Sequence, residues 1–230
     1  MRIPTPVIPD EHKSIMNHDA FNRLYWSVLE PTGISSVQVA EDNEDAPSSS
    51  RAYLTDHPLA LELATKTNAN KLIFTAKDLA EHASNCHMWS DGFEEPEDGV
   101  ENLEDAWDSF VIETQDGSPL LIRDVVTQFH AWVNRPFIEE KIRESLAYMY
   151  NAGPVEDIRG GWCSRAIGGN DDLIYVPEGV KIFFESMEQY GSYDGASAPV
   201  VYVNLWVEGW QGKDAGYFWK SRIDSRKHLV

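Results

Sequence analysis

The chain has 230 residues, of which 42% are hydrophobic and 11% aromatic, and it carries a formal net charge of −19. So many large apolar groups, eight tryptophans among them, exclude a wholly disordered chain, and the length suits one large domain or two small ones. The longest apolar runs, such as 131–133 and 199–203, fall far short of the roughly 20 residues of a membrane-spanning helix. So acidic a surface would repel a phosphate backbone, which excludes direct nucleic-acid binding as the expectation.

Pro4, Pro6 and Pro9 disfavour helix at and before themselves and predict an extended N-terminal arm. Residues 21–29, aromatic and β-branched, predict a strand. Pro31-Thr32-Gly33 then turns the chain toward a hairpin partner over 34–39. The polar stretch 41–50, with Pro47 and three serines, reads as a loop. Leu and Ala content predicts a helix over 57–69, and Lys71-Leu72-Ile73-Phe74 a short strand. Thr75-x-x-Asp78, with Leu79, Ala80 and Ala83 following at helical spacing, has the form of a helix start. Gly92, Pro96 and Gly99 break up the next stretch, which reads as a long loop or insertion.

Residues 110–114 and 118–122 flank Gln115-Asp116-Gly117 and predict a β-hairpin. Val125, Val126, Phe129, Trp132 and Val133 predict an amphipathic helix, broken at Asn134-Arg135-Pro136. Pro136 suits the first turn of a second helix. That helix is expected to bury Phe137, Ile138, Ile142, Leu146 and Met149 and to stop near Gly153-Pro154. From residue 160 onward the texture is glycine-punctuated, with strands predicted over 173–176, 180–185, 199–208 and 215–222.

The charge is local. Residues 41–116 hold nineteen acids against four bases, a net of −15, and no Lys or Arg lies between Lys77 and Arg123. From Lys213 onward the sign reverses, five bases against Asp214 and Asp224. A solvated acidic face is the plain reading of such a run. The sharper one is an electrostatic contact surface: clustered like charges repel one another, and a basic partner relieves that repulsion. Candidate contact residues are Asp91, Glu94, Glu95, Glu97, Asp98, Glu101, Glu104, Asp105 and Asp108. Trp206 and Trp210 join them, because the strand alternation over 199–208 leaves a second, partly aromatic face for a subunit contact or a covering helix. Adaptation to high salt is a third reading of the acidity, supported by only nine lysines and opposed by the confinement of the charge.

Chemistry-bearing motifs are sparse. His82, Cys86 and His87 group three metal-ligand types, without paired C-x-x-C or H-E-x-x-H spacing. Clustered carboxylates could attract Ca²⁺ or Mg²⁺, but the EF-hand spacing is missing. Cys163, after Gly160-Gly161-Trp162, would need a base such as His130 to act as a nucleophile. There is no phosphate-cradling G-x-x-x-x-G-K-[ST] or G-x-G-x-x-G loop, and no cofactor is expected. Cys86 and Cys163 form no disulfide framework. Nor does the N-terminus have the apolar core of a secretory signal, so the chain is expected to be made in a cytoplasm.

The long alternating strand, the glycine-rich β run before it, the proline-rich arm and the basic C-terminus together resemble jelly-roll or single-β-barrel subunits of virus capsids. The resemblance covers about the last 70 residues and rests on texture. It implies an α+β domain of β-sandwich or jelly-roll-like sheets spanning 1–230, with 41–116 as an acidic insertion and 117–153 as a helical segment. The expected function is a non-enzymatic structural subunit, plausible in a virion, that assembles with its own copies or a basic protein. The rival is an acidic inhibitor, either a nucleic-acid mimic acting on a DNA-binding enzyme or an immunity protein against a basic toxin. A hydrolase with a carboxylate or Cys163 site is the third.

Overall fold

The computed structural model describes residues 14–40, 51–74, 110–147, 176–189 and 198–227. Its elements in chain order are α1 (His18–Phe21), β1 (Leu24–Tyr25), β2 (Gln38–Val39), β3 (Lys71–Phe74), β4 (Phe110–Glu113), α2 (Ile122–Val133), α3 (Pro136–Ser145), β5 (Ile182–Gln189), β6 (Val200–Val207) and α4 (Ala215–Lys227). Short 3₁₀ turns occupy Gly33–Ser36, Leu54–Asp56, Pro58–Leu61 and Trp210–Gly212. The architecture is mixed α+β. It holds a four-stranded sheet in the order β4-β3-β6-β5 and a two-stranded β1-β2 ribbon.

The sheet is mixed. β4 runs antiparallel to β3 with Lys71 opposite Glu113, β3 runs parallel to β6 with Phe74 opposite Val201, and β5 runs antiparallel to β6 with Phe184 opposite Leu205. Alternation then assigns the two faces. Leu72, Phe74, Val201, Val203, Leu205 and Phe184 enter the main core, with Val125, Val126, Phe129 and Trp132 of α2. Phe129 lies 5.6 Å from both Trp26 and Phe74, ring centre to ring centre. On the opposite face Phe183 and Trp206 pack on Phe218 of α4, with centroids 4.9 and 5.0 Å from the Phe218 ring. α2 therefore covers one face, and α4 covers the β5–β6 part of the other, on which Val111 of β4 stays exposed. A jelly roll instead faces two antiparallel sheets toward each other.

Two side chains of α2 fasten the loop between β1 and β2. The His130 ring meets the Glu30 carbonyl through Nε2 at 2.8 Å, and Asn134 Nδ2 donates to the Val28 carbonyl at 3.0 Å. Gly33 packs under that ring: its φ is +61°, and a Cβ there would sit 3.3 Å from the imidazole. Backbone conformation and close approach both call for glycine. His130 is thus a structural anchor among the described residues, while Cys163 lies outside them.

Several expected elements form as read: the β3 strand, the α2 helix, the break at Asn134 and the start of α3 at Pro136. Others differ. Residues 57–69 make no α-helix; after the 3₁₀ turn Pro58–Leu61 the backbone extends, with the Ala64 N–H donating to the Leu120 carbonyl and the Ile122 N–H to that of Glu62. The turn at Asp116-Gly117 is present, with Gly117 at φ +72° and Asp116 accepting from the Ser118 N–H. The outgoing segment pairs with 62–64 instead of folding back on β4, whose partner in the sheet is β3. Phe137 is 53% exposed, off the stripe of Ile138, Ile142 and Ser145 that α3 buries. The segment 215–222, expected as a strand, is helix α4. The Asp214 carboxylate accepts from the Tyr217 N–H at 2.8 Å and starts the helix, which then buries Phe218, Trp219, Arg222 and Ile223. Residues 21–29 and 34–39 pair only as the two-residue strands β1 and β2. Expectations for 1–13, 75–109 and 148–175 fall outside the described residues.

Burial of Trp206 under α4 predicts that Trp206→Ala destabilises the fold by about 3–5 kcal/mol. A urea titration followed by circular dichroism should show the midpoint falling accordingly; an unchanged midpoint would contradict this packing.

Candidate functional site

The surface between the sheet and α4 is apolar at one end and polar at the other. Past the Phe183–Trp206–Phe218 cluster the β5–β6 ladder shifts register between Phe184 and Ser186. A bulge of this kind turns an extra side chain to one side of the strand. Here Glu185 and Ser186, consecutive in sequence, both line a cavity of about 380 Å³, while Met187 returns to the core. Glu188 and Asn204 complete the sheet side of this cavity, Phe218, Ser221 and Arg222 the helix side, and Asn22 stands beside them from just after α1.

The carboxylate of Glu188 is held in place. It accepts from the Tyr202 hydroxyl at 2.7 Å and from Asn204 Nδ2 at 3.2 Å, and Asn204 also donates to Ser186 Oγ at 2.8 Å. Arg222 is buried, with 7% of its surface exposed. One terminal nitrogen donates to the Phe184 carbonyl of β5, the other reaches Asn22 Oδ1 at 3.5 Å, and the Phe218 ring centre lies 5.0 Å from the guanidinium carbon. Its Nε has no hydrogen-bond partner among the described residues. Burial holds the Arg222 pKa down to about 10, against which the Glu185 charge works. Burial likewise pushes the Glu185 carboxyl above its ordinary range, Arg222 pulling it back.

Chemically, this is a binding arrangement: one desolvated guanidinium facing carboxylates, an amide and hydroxyls. No group of three or more His, Cys, Asp or Glu side chains that could hold a metal occurs among the described residues. A second cation site lies beyond the aromatic end, where the Arg51 guanidinium stacks 3.5 Å above the Trp219 ring and 5.7 Å from that of Tyr25. Such contacts contribute about 0.5–2 kcal/mol and tie the segment before Leu54 to α4.

Of the residues expected to meet a partner, Trp206 is 3% exposed and its face is taken by α4 of the same chain. Of the two occupants foreseen for that face, the covering helix is the one observed, which corrects the placing of Trp206 on a contact surface. Trp210 packs half-buried against the same cluster. Asp91, Glu94, Glu95, Glu97, Asp98, Glu101, Glu104, Asp105 and Asp108, with His82, Cys86 and His87, lie outside the described residues. The described residues hold sixteen acids against fourteen bases, a net of −2 out of the −19 of the whole chain. Sequence reading did not single out Glu185, Glu188 or Arg222. The available signal was the polar side of the alternation, Tyr202 and Asn204; the bulge and the helix that complete the cavity leave no mark in composition.

No protein-family model, curated protein or solved structure matches the chain.

A carboxyl whose folded pKa is raised stabilises the fold below its unfolded pKa and loses that contribution as pH rises through the folded value. Glu185→Gln should therefore leave stability unchanged near pH 4 and raise it at pH 7. Thermal unfolding at the two pH values measures this; a variant less stable at pH 7 would contradict the assigned burial.

Proposed function

We propose that the protein is a non-enzymatic binding protein that engages a basic protein partner through its acidic segments, with the α+β fold as carrier. The observation that supports this is the division of charge. Residues 41–116 hold nineteen acids against four bases, a net of −15, while all the other residues together carry only −4. Salt adaptation acts on a whole surface and would have spread the acids along the chain. A field concentrated in particular segments speeds encounter with an oppositely charged partner and orients it. The partner class is a protein with a cationic surface, such as a nucleic-acid-binding enzyme or a basic toxin.

Assembly with further copies, of the kind found in virion subunits, is the second reading. Lys213 and Lys220 on or beside α4 favour it, since they offer a basic surface to the acidic segments of a neighbour. The sandwich form of the sheets belongs to this reading. Packing of Phe183 and Trp206 under Phe218 of α4 favours the first, because it takes up that aromatic pair within the same chain.

Replacing Asp91, Glu94, Glu95, Glu97, Asp98, Glu101, Glu104, Asp105 and Asp108 with their amides is expected to abolish capture of a basic protein. The wild-type chain should lose the same protein when salt rises from about 0.05 to about 0.5 M, as screening shortens the reach of surface charge. Identical capture by both chains at both salts would overturn the proposal. Light scattering of the pure protein separates the second reading: large particles that form at low salt and dissolve at high salt support assembly, and a constant small mass opposes it.

A further inference from the structure

The described residues that line the cavity beneath α4 are not those of the acidic segments, and their chemistry points to a different kind of ligand. Arg222 is a buried cation, with 7% of its surface exposed. None of the ion pairs formed among the described residues joins it to a carboxylate. Its Nε is buried without a partner, its terminal nitrogens each make one contact and keep donors of the planar fork that suits carboxylates, and the side chain lines the cavity. The Phe184 carbonyl, Asn22 and the nearby Glu185 charge compensate the guanidinium in part, without a carboxylate at ion-pair distance among the described residues. An anionic group in the cavity would complete that pairing.

A simple anion does not suit the rest of the site. Glu185 and Glu188 line the same space, and Glu188 is fixed by the Tyr202 hydroxyl and Asn204. Those carboxylates would repel an isolated anion while accepting from an ammonium group. The volume, about 380 Å³, lies at the small end of the roughly 300–1,000 Å³ of small-molecule sites. An occupant of this site must therefore be small and carry both charges, with an anionic group for the helix side and a cationic group for the sheet side.

We propose that this cavity binds a free α-amino acid, its carboxylate on Arg222 and its ammonium between Glu185 and Glu188. The bulge in β5 makes the second half of the site, since regular alternation would not place both Glu185 and Ser186 on the cavity side. Phe218 supplies an apolar wall against which a side chain or the ligand's own carbon skeleton can rest.

Isothermal titration calorimetry of the full chain tests this with the free L-amino acids in turn. The matching N-acetyl amino acids lack the ammonium, the amino-acid amides lack the carboxylate, and sodium acetate supplies an anion alone. At least one free amino acid should bind saturably, with its N-acetyl and amide forms at least about tenfold weaker, a loss of about 1.4 kcal/mol each. Glu185→Gln should weaken the free amino acid about tenfold and leave the N-acetyl form unaffected; Arg222→Lys should weaken the free acid and leave the amide unaffected. If Arg222→Lys does not fold, the Glu185→Gln comparison decides alone. No saturable heat from any free amino acid at millimolar concentration overturns the proposal. Acetate binding as tightly as the best amino acid, or a Glu185→Gln chain that binds it unchanged, overturns it equally.

Discussion

The antiparallel pairing of β5 with β6 is the constraint from which the rest of the fold follows. Strand period is two, so once Phe184 faces Leu205 on one side, Phe183 must face Trp206 on the other. Both pairs are large and apolar, and neither face can be left to water. The sheet therefore needs two layers. α2 supplies one through Phe129 and Trp132, and α4 supplies the other through Phe218, while its Trp219 packs on Tyr25 and Ala40 beside the β1–β2 ribbon. The short β3 and β4 extend this pair, and the parallel contact of β3 with β6 requires the long crossover that carries α2 and α3.

The same pairing fails at one point, and the cavity lies there. The register shift after Phe184 turns Glu185 and Ser186 together toward α4, where the apolar contact between helix and sheet gives way to hydrogen bonds. Arg222 spans the layers by donating to the Phe184 carbonyl, the main-chain group next to the irregularity. One local departure from regular alternation thus joins the attachment of α4 to the polar site beneath it. A C-terminal cation that counts in the sequence as part of a basic tail is, in the fold, an interior group.

Elements whose signal was periodicity were legible in the sequence. The α2 stripe of Val125, Val126, Phe129, Trp132 and Val133, the stop at Asn134 and the alternation through Val201, Val203 and Leu205 all carry their burial in their spacing. Elements read from composition were not. Tyr217, Phe218 and Trp219 favour strand by residue type, yet Asp214 caps a helix there whose buried positions fall at 218, 219, 222 and 223. The Leu and Ala of 57–64 suggested helix, but Leu61 is 60% exposed and the backbone that follows pairs with the segment before α2. The candidate site was not legible: the alternation over 199–208 marked the face that carries Tyr202 and Asn204 only as partly aromatic, and Arg222 and Glu185 reach it through a helix and a bulge that tertiary pairing decides.

The acidity is placed unevenly along the chain: residues 41–116 carry a net of −15, and the remaining residues together −4. On the proposed reading, acidity that serves a partner contact does not make folding depend on salt, even though the chain as a whole is at −19. Urea unfolding of the wild-type protein between about 0.01 and about 1 M salt, where the screening length falls from about 30 to about 3 Å, tests this most directly. The account predicts a cooperative transition at every salt concentration, present and only modestly shifted at the lowest. Loss of the folded state at low salt, with recovery only near 1 M, would mark the acidity as a general adaptation to salt and contradict the account.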